Sequence, residues 1–384
     1  RDVKLKYPLL VRAMNNRIPC DFSRVSGYLC WCLEGKNGIV KSRCKENVEM
    51  TNRLFVPSLK DTFLVSFLIG AAVHEGLLND RKEFITEHFN SLTAENSMKF
   101  ENLQPAEGEF DFTAGDRIVQ FAKENGMSVR GHTLIWHAQT PKWIFYEDAE
   151  KKKLASKELL KARMAAHINT VVAHYQDSIL CWDVVNEAIE DKGSTRLRHS
   201  LWSEIMGEEF IDYACHLAHE ANPAAQLFYN DYNESSPSKS AKIFETISGL
   251  LEREVPVHGV GLQAHWNVNA PSLDDIKRAI EKYASLGLRL HITEMDVSVF
   301  DFEDKNSSLL KPTEALLELQ AERYEAFFKI FKSYRAHIDS VTFWGVDDAY
   351  TWLDKFPVHN RKNWPFLFDT EIMPKPAFWR VIKT

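Results

Sequence analysis

The sequence lacks most of the features that mark the commoner functional classes. It has no excess of positive charge: 47 Lys and Arg stand against 54 Asp and Glu, a net charge of −7. Nucleic-acid partners call for basic patches, so they are excluded as an expectation. No Gly-x-Gly-x-x-Gly turn follows the first apolar run, which disfavours a doubly wound, dinucleotide-binding sheet. No phosphate-cradling loop is present either. There is no His-x-His pair and no His-Glu-x-x-His helix. His132 and His137 are five residues apart, so on a continuous strand they would point to opposite faces. A metal-dependent hydrolase is therefore disfavoured, and neither a metal nor another cofactor is expected. The six cysteines form no zinc pattern. Cys30 and Cys32 are separated by one residue, where zinc sites use two to four. Cys20 and Cys44 complete the N-terminal group, while Cys181 and Cys215 stand alone in apolar surroundings and read as buried free thiols.

Residues 1–57 differ from the rest. They hold eleven Lys/Arg against five Asp/Glu, a balance of +6 that leaves −13 for residues 58–384. They show no sustained helical or strand period. No apolar core followed by a small-residue cleavage site marks a secretory signal, and the apolar stretch Tyr7–Val11 is too short to span a membrane. An appended tail or disordered N-terminal extension over residues 1–57 is the expectation, its structure unassigned, with one catalytic domain over residues 58–384 and no membrane partner.

What the sequence does contain begins after Leu59. With 45% hydrophobic and 12% aromatic residues, it can fill a large core. Eight apolar runs alternate with helical patterns: Phe67–Val73, Phe89–Ala94, Ser128–Leu134, Ile179–Asn186, Gln226–Asn230, Gly259–Ala264, Leu288–Thr293 and Ser340–Val346. Between them, Lys157–Tyr175 carries Leu160, Met164, Ile168, Val171 and Val172 at helical spacing. Asp116–Lys123 and Glu314–Tyr334 read as further helices. Ser272, Asp274 and Asp275 open another, and Gly287 ends it. Eight strand–helix repeats predict the α/β class and a closed (β/α)8 TIM barrel of typical size.

In such barrels the chemistry sits at the carboxyl ends of the strands. The run Ile179–Asn186 is apolar enough to be buried on both faces, yet ends in Asn186-Glu187. The seventh run ends in Glu294-Met295-Asp296. An unpaired carboxylate is costly to bury, so two glutamates leaving two apolar strands predict two carboxylates converging on one substrate. The other strand ends supply Glu95, Asn96 and Lys99; His132 and Trp136; Asn230, Asp231 and Tyr232; Gln263 and His265; and Trp344, with Trp352 in the loop after it. Amides, acids, imidazoles and tryptophans predict a polar cleft with aromatic walls, suited to a neutral polyhydroxy ligand. Taken singly, several have plainer readings. Glu95 and Asn96 could cap the next helix, His132 could be a core histidine, Lys99 a solvated charge and Trp344 filler.

Taken together, the motifs resemble a known family. Trp182-Asp183-Val184-Val185-Asn186-Glu187-Ala188 and Ile292-Thr293-Glu294-Met295-Asp296 are similar to the two catalytic motifs of glycoside hydrolase family 10, the retaining endo-β-1,4-xylanases. Thr93–Asn96, Arg130–His137 and Gly261–His265 match further family segments in order. The resemblance covers residues 58–384 and implies Glu187 as acid/base and Glu294 as nucleophile. It also implies xylan contacts by Glu95, Asn96, Lys99, His132, Trp136, Asn186, Tyr232, Gln263, His265, Trp344 and Trp352. Asp296 is expected to hold His265 so that the imidazole can donate to Glu294. The expected partner is xylan or a xylo-oligosaccharide. With no signal visible, the chain resembles the cytoplasmic branch of the family, so a cytoplasmic setting is favoured, with secretion the alternative if a signal precedes Arg1. The same chemistry on another β-1,4-glycan, and a catalytically silent carbohydrate-binding barrel, are the competing readings.

Overall fold

The computed structural model describes residues 56–148 and 150–384. The N-terminal extension and its four cysteines lie outside the described residues, apart from the extension's last two. Nine strands run in the order β1 (Leu68–Val73), β2 (Ser91–Ala94), β3 (Ser128–Trp136), β4 (Ile179–Asn186), β5 (Gln226–Asp231), β6 (Gly259–Leu262), β7 (His265–Asn267), β8 (Arg289–Ser298) and β9 (Ile338–Phe343). Every pairing is parallel. Neighbours pair in sequence from β1 to β6, β6 pairs with β8, β8 with β9, and β9 with β1, which closes the ring. Eight strands make the barrel, and β7 adds a short continuation beside the far end of β8. This is the closed (β/α)8 barrel that the eight repeats predict.

The helices form where the spacing places them. Ser156 accepts a hydrogen bond from Leu159 N–H and so satisfies one of the unpaired amides of the Lys157–His174 helix. That helix buries Leu160, Met164, Ile168, Val171 and Val172. Ser272 caps Leu273–Ala284 in the same way, with Asp274 and Asp275 in its first turn. The barrel interior is close-packed. Trp182 is fully buried and its ring lies against Gly131, where a Cβ would come within 2.1 Å of the indole. No larger residue fits there without displacing the tryptophan. Among the described residues no helix is long and apolar enough to cross a membrane.

Several boundaries differ from expectation. The sixth run stops at Leu262, because Ala264 takes a left-handed φ of 59° and breaks the ladder before His265. The seventh extends to Ser298, so Glu294 and Asp296 lie within β8, not beyond it. The eighth ends at Phe343, which leaves Trp344 just past the strand. Phe89 terminates the Lys82–His88 helix instead of opening β2. Cys215 is buried as expected. Cys181 is only half-buried, with Arg130 Nη1 donating to its sulfur at 3.1 Å.

Candidate active site

The two glutamates meet at one end of the barrel. Glu187 is the first residue after β4 and takes a φ of 57°, a left-handed turn that lifts its side chain over the barrel mouth. Its carboxylate accepts Trp136 Nε1–H at 2.9 Å on Oε2, and Gln263 Nε2–H at 3.0 Å with Asn186 Nδ2–H at 3.4 Å on Oε1. Burial raises its pKa, and the negative charges of Asp231 and then Glu294 add to that. The bonds from Gln263 and Trp136 oppose it without reversing it. Glu187 is thus biased towards its protonated form.

Glu294 is in the opposite state. Burial alone would raise it, but the charge of His132 and the hydrogen bond and charge of His265 outweigh that effect, and its pKa is lowered. Its Oε1 accepts Asn230 Nδ2–H at 2.7 Å, and its Oε2 lies 3.3 Å from His265 Nε2. His265 in turn points Nδ1 at Asp296 Oδ2, 2.9 Å away. Burial lowers the imidazole, yet the Asp296 charge and the two carboxylate bonds push it up to about 10. At neutral pH it is an imidazolium that donates to both carboxylates. One carboxyl is biased towards keeping its proton beside another biased towards losing it, the opposition that an acid and a nucleophile in a single cleft would need.

The supporting residues extend inward. Arg130 and His132, both on β3, converge on Asp183 of β4. Arg130 Nε lies 3.0 Å from Asp183 Oδ2, and His132 Nδ1 lies 3.0 Å from the same oxygen. Thr133 Oγ1 donates to the Asp183 carbonyl at 2.8 Å. Asn230 Nδ2 also donates to Asn186 Oδ1 at 2.9 Å, while Thr293 Oγ1 donates to Asn230 Oδ1 at 2.7 Å. Each amide is therefore oriented by its neighbours, as a site that must recognise defined hydroxyls requires.

All thirteen residues marked from sequence as catalytic or substrate-contacting line one cleft of about 770 Å3. Asp296 lies behind it and holds His265. Lys99 is buried, not a solvated charge, and donates to Asn96 Oδ1 at 3.1 Å and Gln139 Oε1 at 2.8 Å. Asn96 caps nothing: the Phe100–Leu103 helix starts at Lys99 without a side-chain cap. His132 is buried, and it also faces Trp344 edge-on with ring centroids 5.2 Å apart. Trp352 Nε1 donates to Asp296 Oδ2 at 2.8 Å, which fixes its ring on the rim.

This arrangement matches a known set of enzymes. The sequence profile of glycosyl hydrolase family 10 matches residues 58–384. The chain belongs to that family. It is 54% identical over 327 residues to endo-1,4-beta-xylanase B of Paenibacillus barcinonensis, covering 85% of this chain and 98% of that one. It is 51% identical over 329 residues to an endo-1,4-beta-xylanase of Geobacillus stearothermophilus, again covering 85% and 98%. The crystal structure of xylanase XynB from Paenibacillus barcinonensis with a conduramine derivative superposes with a TM-score of 0.84 at 53% identity. It covers 86% of this chain and 99% of that one.

Within this family 10 cleft, sequence reasoning passed over residues of two kinds. Asp183 and Arg130 support the site from inside strands, as does Asn230, which the sequence already places at a strand end. Asp183 carried a usable signal, since a carboxylate within a doubly buried strand needs a partner as much as Glu187 does. Phe302, Glu303 and Phe356 line the rim from loops after β8 and β9. Loops carry no periodic pattern, so nothing in the sequence marked them.

Proposed function

We propose that the protein is an endo-1,4-beta-xylanase that hydrolyses internal β-1,4-xylosidic bonds of xylan or xylo-oligosaccharides with retention of configuration. The observation that carries this reading is the opposed electrostatics of Glu187 and Glu294 across one cleft. Residues 58–384 are assigned as the catalytic unit.

In this reading Glu187 protonates the leaving oxygen while Glu294 attacks the anomeric carbon. The oxocarbenium-like transition state collapses to a glycosyl-enzyme on Glu294. That ester is neutral, so Glu187 loses a like charge and is better suited to take a proton from the incoming water. Asn186, held by Asn230 and Gln263, is placed to bond the sugar 2-hydroxyl, a contact that strengthens in the transition state. Glu95, Asn96, Lys99, His132 and Gln263 supply hydrogen bonds to further hydroxyls. Trp136, Trp344, Trp352 and Tyr232 offer flat faces to the rings. Asp296 acts through His265.

Replacing each glutamate tests the roles. Glu294→Ala abolishes hydrolysis of every substrate. Glu187→Ala spares glycosylation by a dinitrophenyl xyloside, whose leaving group needs little protonation, but slows deglycosylation. Azide then accelerates turnover and yields the β-glycosyl azide after two inversions, whereas any azide product of Glu294→Ala is α. The reverse pairing would exchange the roles. Equal turnover of a soluble cellulose and xylan would overturn the substrate assignment, and no turnover at all would leave only a binding barrel.

A further inference from the structure

Beyond this reading of Glu187 as acid/base, on which it rests, we infer that Asp231 is a positioning residue that keeps Glu187 proton-bearing, through a carboxyl group paired with buried Lys239. The strand register makes the two acids neighbours. Asn186 of β4 pairs with Asn230 of β5, and Glu187 N–H donates to the Asn230 carbonyl at 2.9 Å. Glu187 and Asp231 are therefore the next residues along adjacent strands. Tyr229 ties them further: its hydroxyl accepts Ala188 N–H at 3.1 Å and donates to Asp231 Oδ2 at 2.5 Å. One phenol links the residue after the acid/base to the Asp231 carboxylate.

Burial raises the pKa of Asp231, and the charge and hydrogen bond of Lys239, with the Tyr229 hydrogen bond, oppose that rise without reversing it. It is fully buried and accepts Tyr232 N–H at 2.9 Å as well as the Tyr229 hydroxyl. Lys239 Nζ lies 2.8 Å from its Oδ1 and 2.5 Å from Asp191 Oδ1. That ammonium is itself fully buried, 3.7 Å from the centre of the Tyr232 ring. A buried ion pair is weak support for a fold, because desolvation offsets most of the attraction. Placed on the strand beside the acid/base, it has an electrostatic use instead.

Other charged groups stand around Glu187. Arg198 Nε donates to the Glu187 carbonyl at 2.9 Å, and its Nη2 pairs with Asp191 at 3.2 Å, so much of its charge is spoken for. His137 Nε2 stands 4.0 Å from Oε2. Burial and the charges of Arg198 and Lys239 push that imidazole down to about 4, so it is neutral at working pH. Lys99, Glu95, Glu303, Glu294 and the His265 imidazolium line the same cleft. After burial, Asp231 is the strongest influence raising Glu187, ahead of Glu294. Glu294 also loses its charge when the glycosyl-enzyme forms, whereas the Asp231 carboxyl takes no part in that bond. The bias from Asp231 therefore persists through the cycle.

The test is the alkaline limb of kcat/KM against pH for an aryl xylobioside, which reports the acid/base of the free enzyme. In Asp231→Asn the limb moves to lower pH by about one unit, because the variant removes a negative group beside Glu187 and leaves the Lys239 ammonium without that partner. A carbon-13 NMR titration of the Glu187 carboxyl moves by the same amount. A folded variant whose limb stays in place, or moves up, overturns the inference; a merely structural residue would lower the rate at all pH values equally. If circular dichroism shows Asp231→Asn unfolded, the charge-balanced Asp231→Asn/Lys239→Met variant carries the test. Its limb moves in the same direction by less, and an unmoved limb overturns the inference. Azide rescue of Glu187→Ala is run in parallel. If rescue fails, the acid/base assignment is at fault; if rescue succeeds and the limb is unmoved, only the role of Asp231 is.

Discussion

Replacing Asp296 with Asn should move the acid limb of the pH–rate profile and leave the plateau nearly intact. Asp296 accepts from His265 at 2.9 Å, and its charge keeps that imidazole doubly protonated despite burial. Without the carboxylate, burial dominates and His265 becomes neutral near pH 7. A neutral ring that keeps its Nε2–H towards Glu294 retains the bond at 3.3 Å and loses only the charge. Hydrogen bonds to charged groups contribute about 1 kcal/mol more than neutral ones. At about 1.36 kcal/mol per unit, Glu294 should rise by about one pH unit. The lost Asp296 charge acts the other way, but it reaches Glu294 only from behind the imidazolium. Below the limb, kcat/KM therefore falls about tenfold, whereas above it Glu294 is ionised in both proteins and the rates converge. The assay is kcat/KM for an aryl xylobioside across the acid limb. A uniform loss of rate with an unmoved limb would refute the electrostatic reasoning and make Asp296 a packing residue for His265 and Trp352.

Three further outcomes are expected. The first-formed product should be the β-anomer by proton NMR, with the two carboxyl groups about 5–5.5 Å apart; an α-product would mean inversion through a water. Glu234 is fully buried, with Trp266 Nε1 donating to its Oε1 at 3.1 Å, and burial pushes it up to about 7. Its folded pKa exceeds the unfolded one, so between about pH 4.5 and 7 the unfolded chain binds fewer protons and stability falls as pH rises. Glu234→Gln should therefore raise the Tm by a few degrees at about pH 8 and leave it unchanged at about pH 4; an equal shift at both would exclude titration as the cause. Removing residues 1–57 should leave xylanase activity largely intact, because every residue of the proposed site follows Leu59; a soluble, folded but inactive truncation would assign the extension to the cleft.

Much of the architecture was legible because a closed parallel barrel writes itself as repeats. Ile179–Asn186 reads as a strand because the run is short, nearly continuous in apolar residues and rich in β-branched ones. Its bounds agree with β4, although Leu180 is exposed. The carboxylates stood out at Glu187 and Glu294 because an acid ending an apolar run conflicts with burial. The same conflict at Asp183 was legible, yet its answer, Arg130, lies 53 residues away in sequence and next to it in space. The break at Ala264 was not legible, since nothing in the local sequence demands a left-handed residue there. The identity of the like charge acting on Glu187 was not legible either. Glu294 was the neighbour in view from sequence, whereas the β4–β5 register brings Asp231 nearer in effect.

The ring closes only when β9, Ile338–Phe343, pairs with β1, Leu68–Val73, some 270 residues earlier in the chain. Both glutamates have been synthesised well before that last strand emerges, but the cleft also needs Trp344 and Trp352, which follow it. The terminal residues are fastened in turn, with Lys375 Nζ buried against Asp348 at 2.8 Å and the Pro376–Val381 helix covering the core beyond. Contacts so distant in sequence form slowly and late. Hydrolysis is therefore expected to report closure of the ring: a chain cut before β9 would carry both carboxylates and lack the strand that pairs with β1.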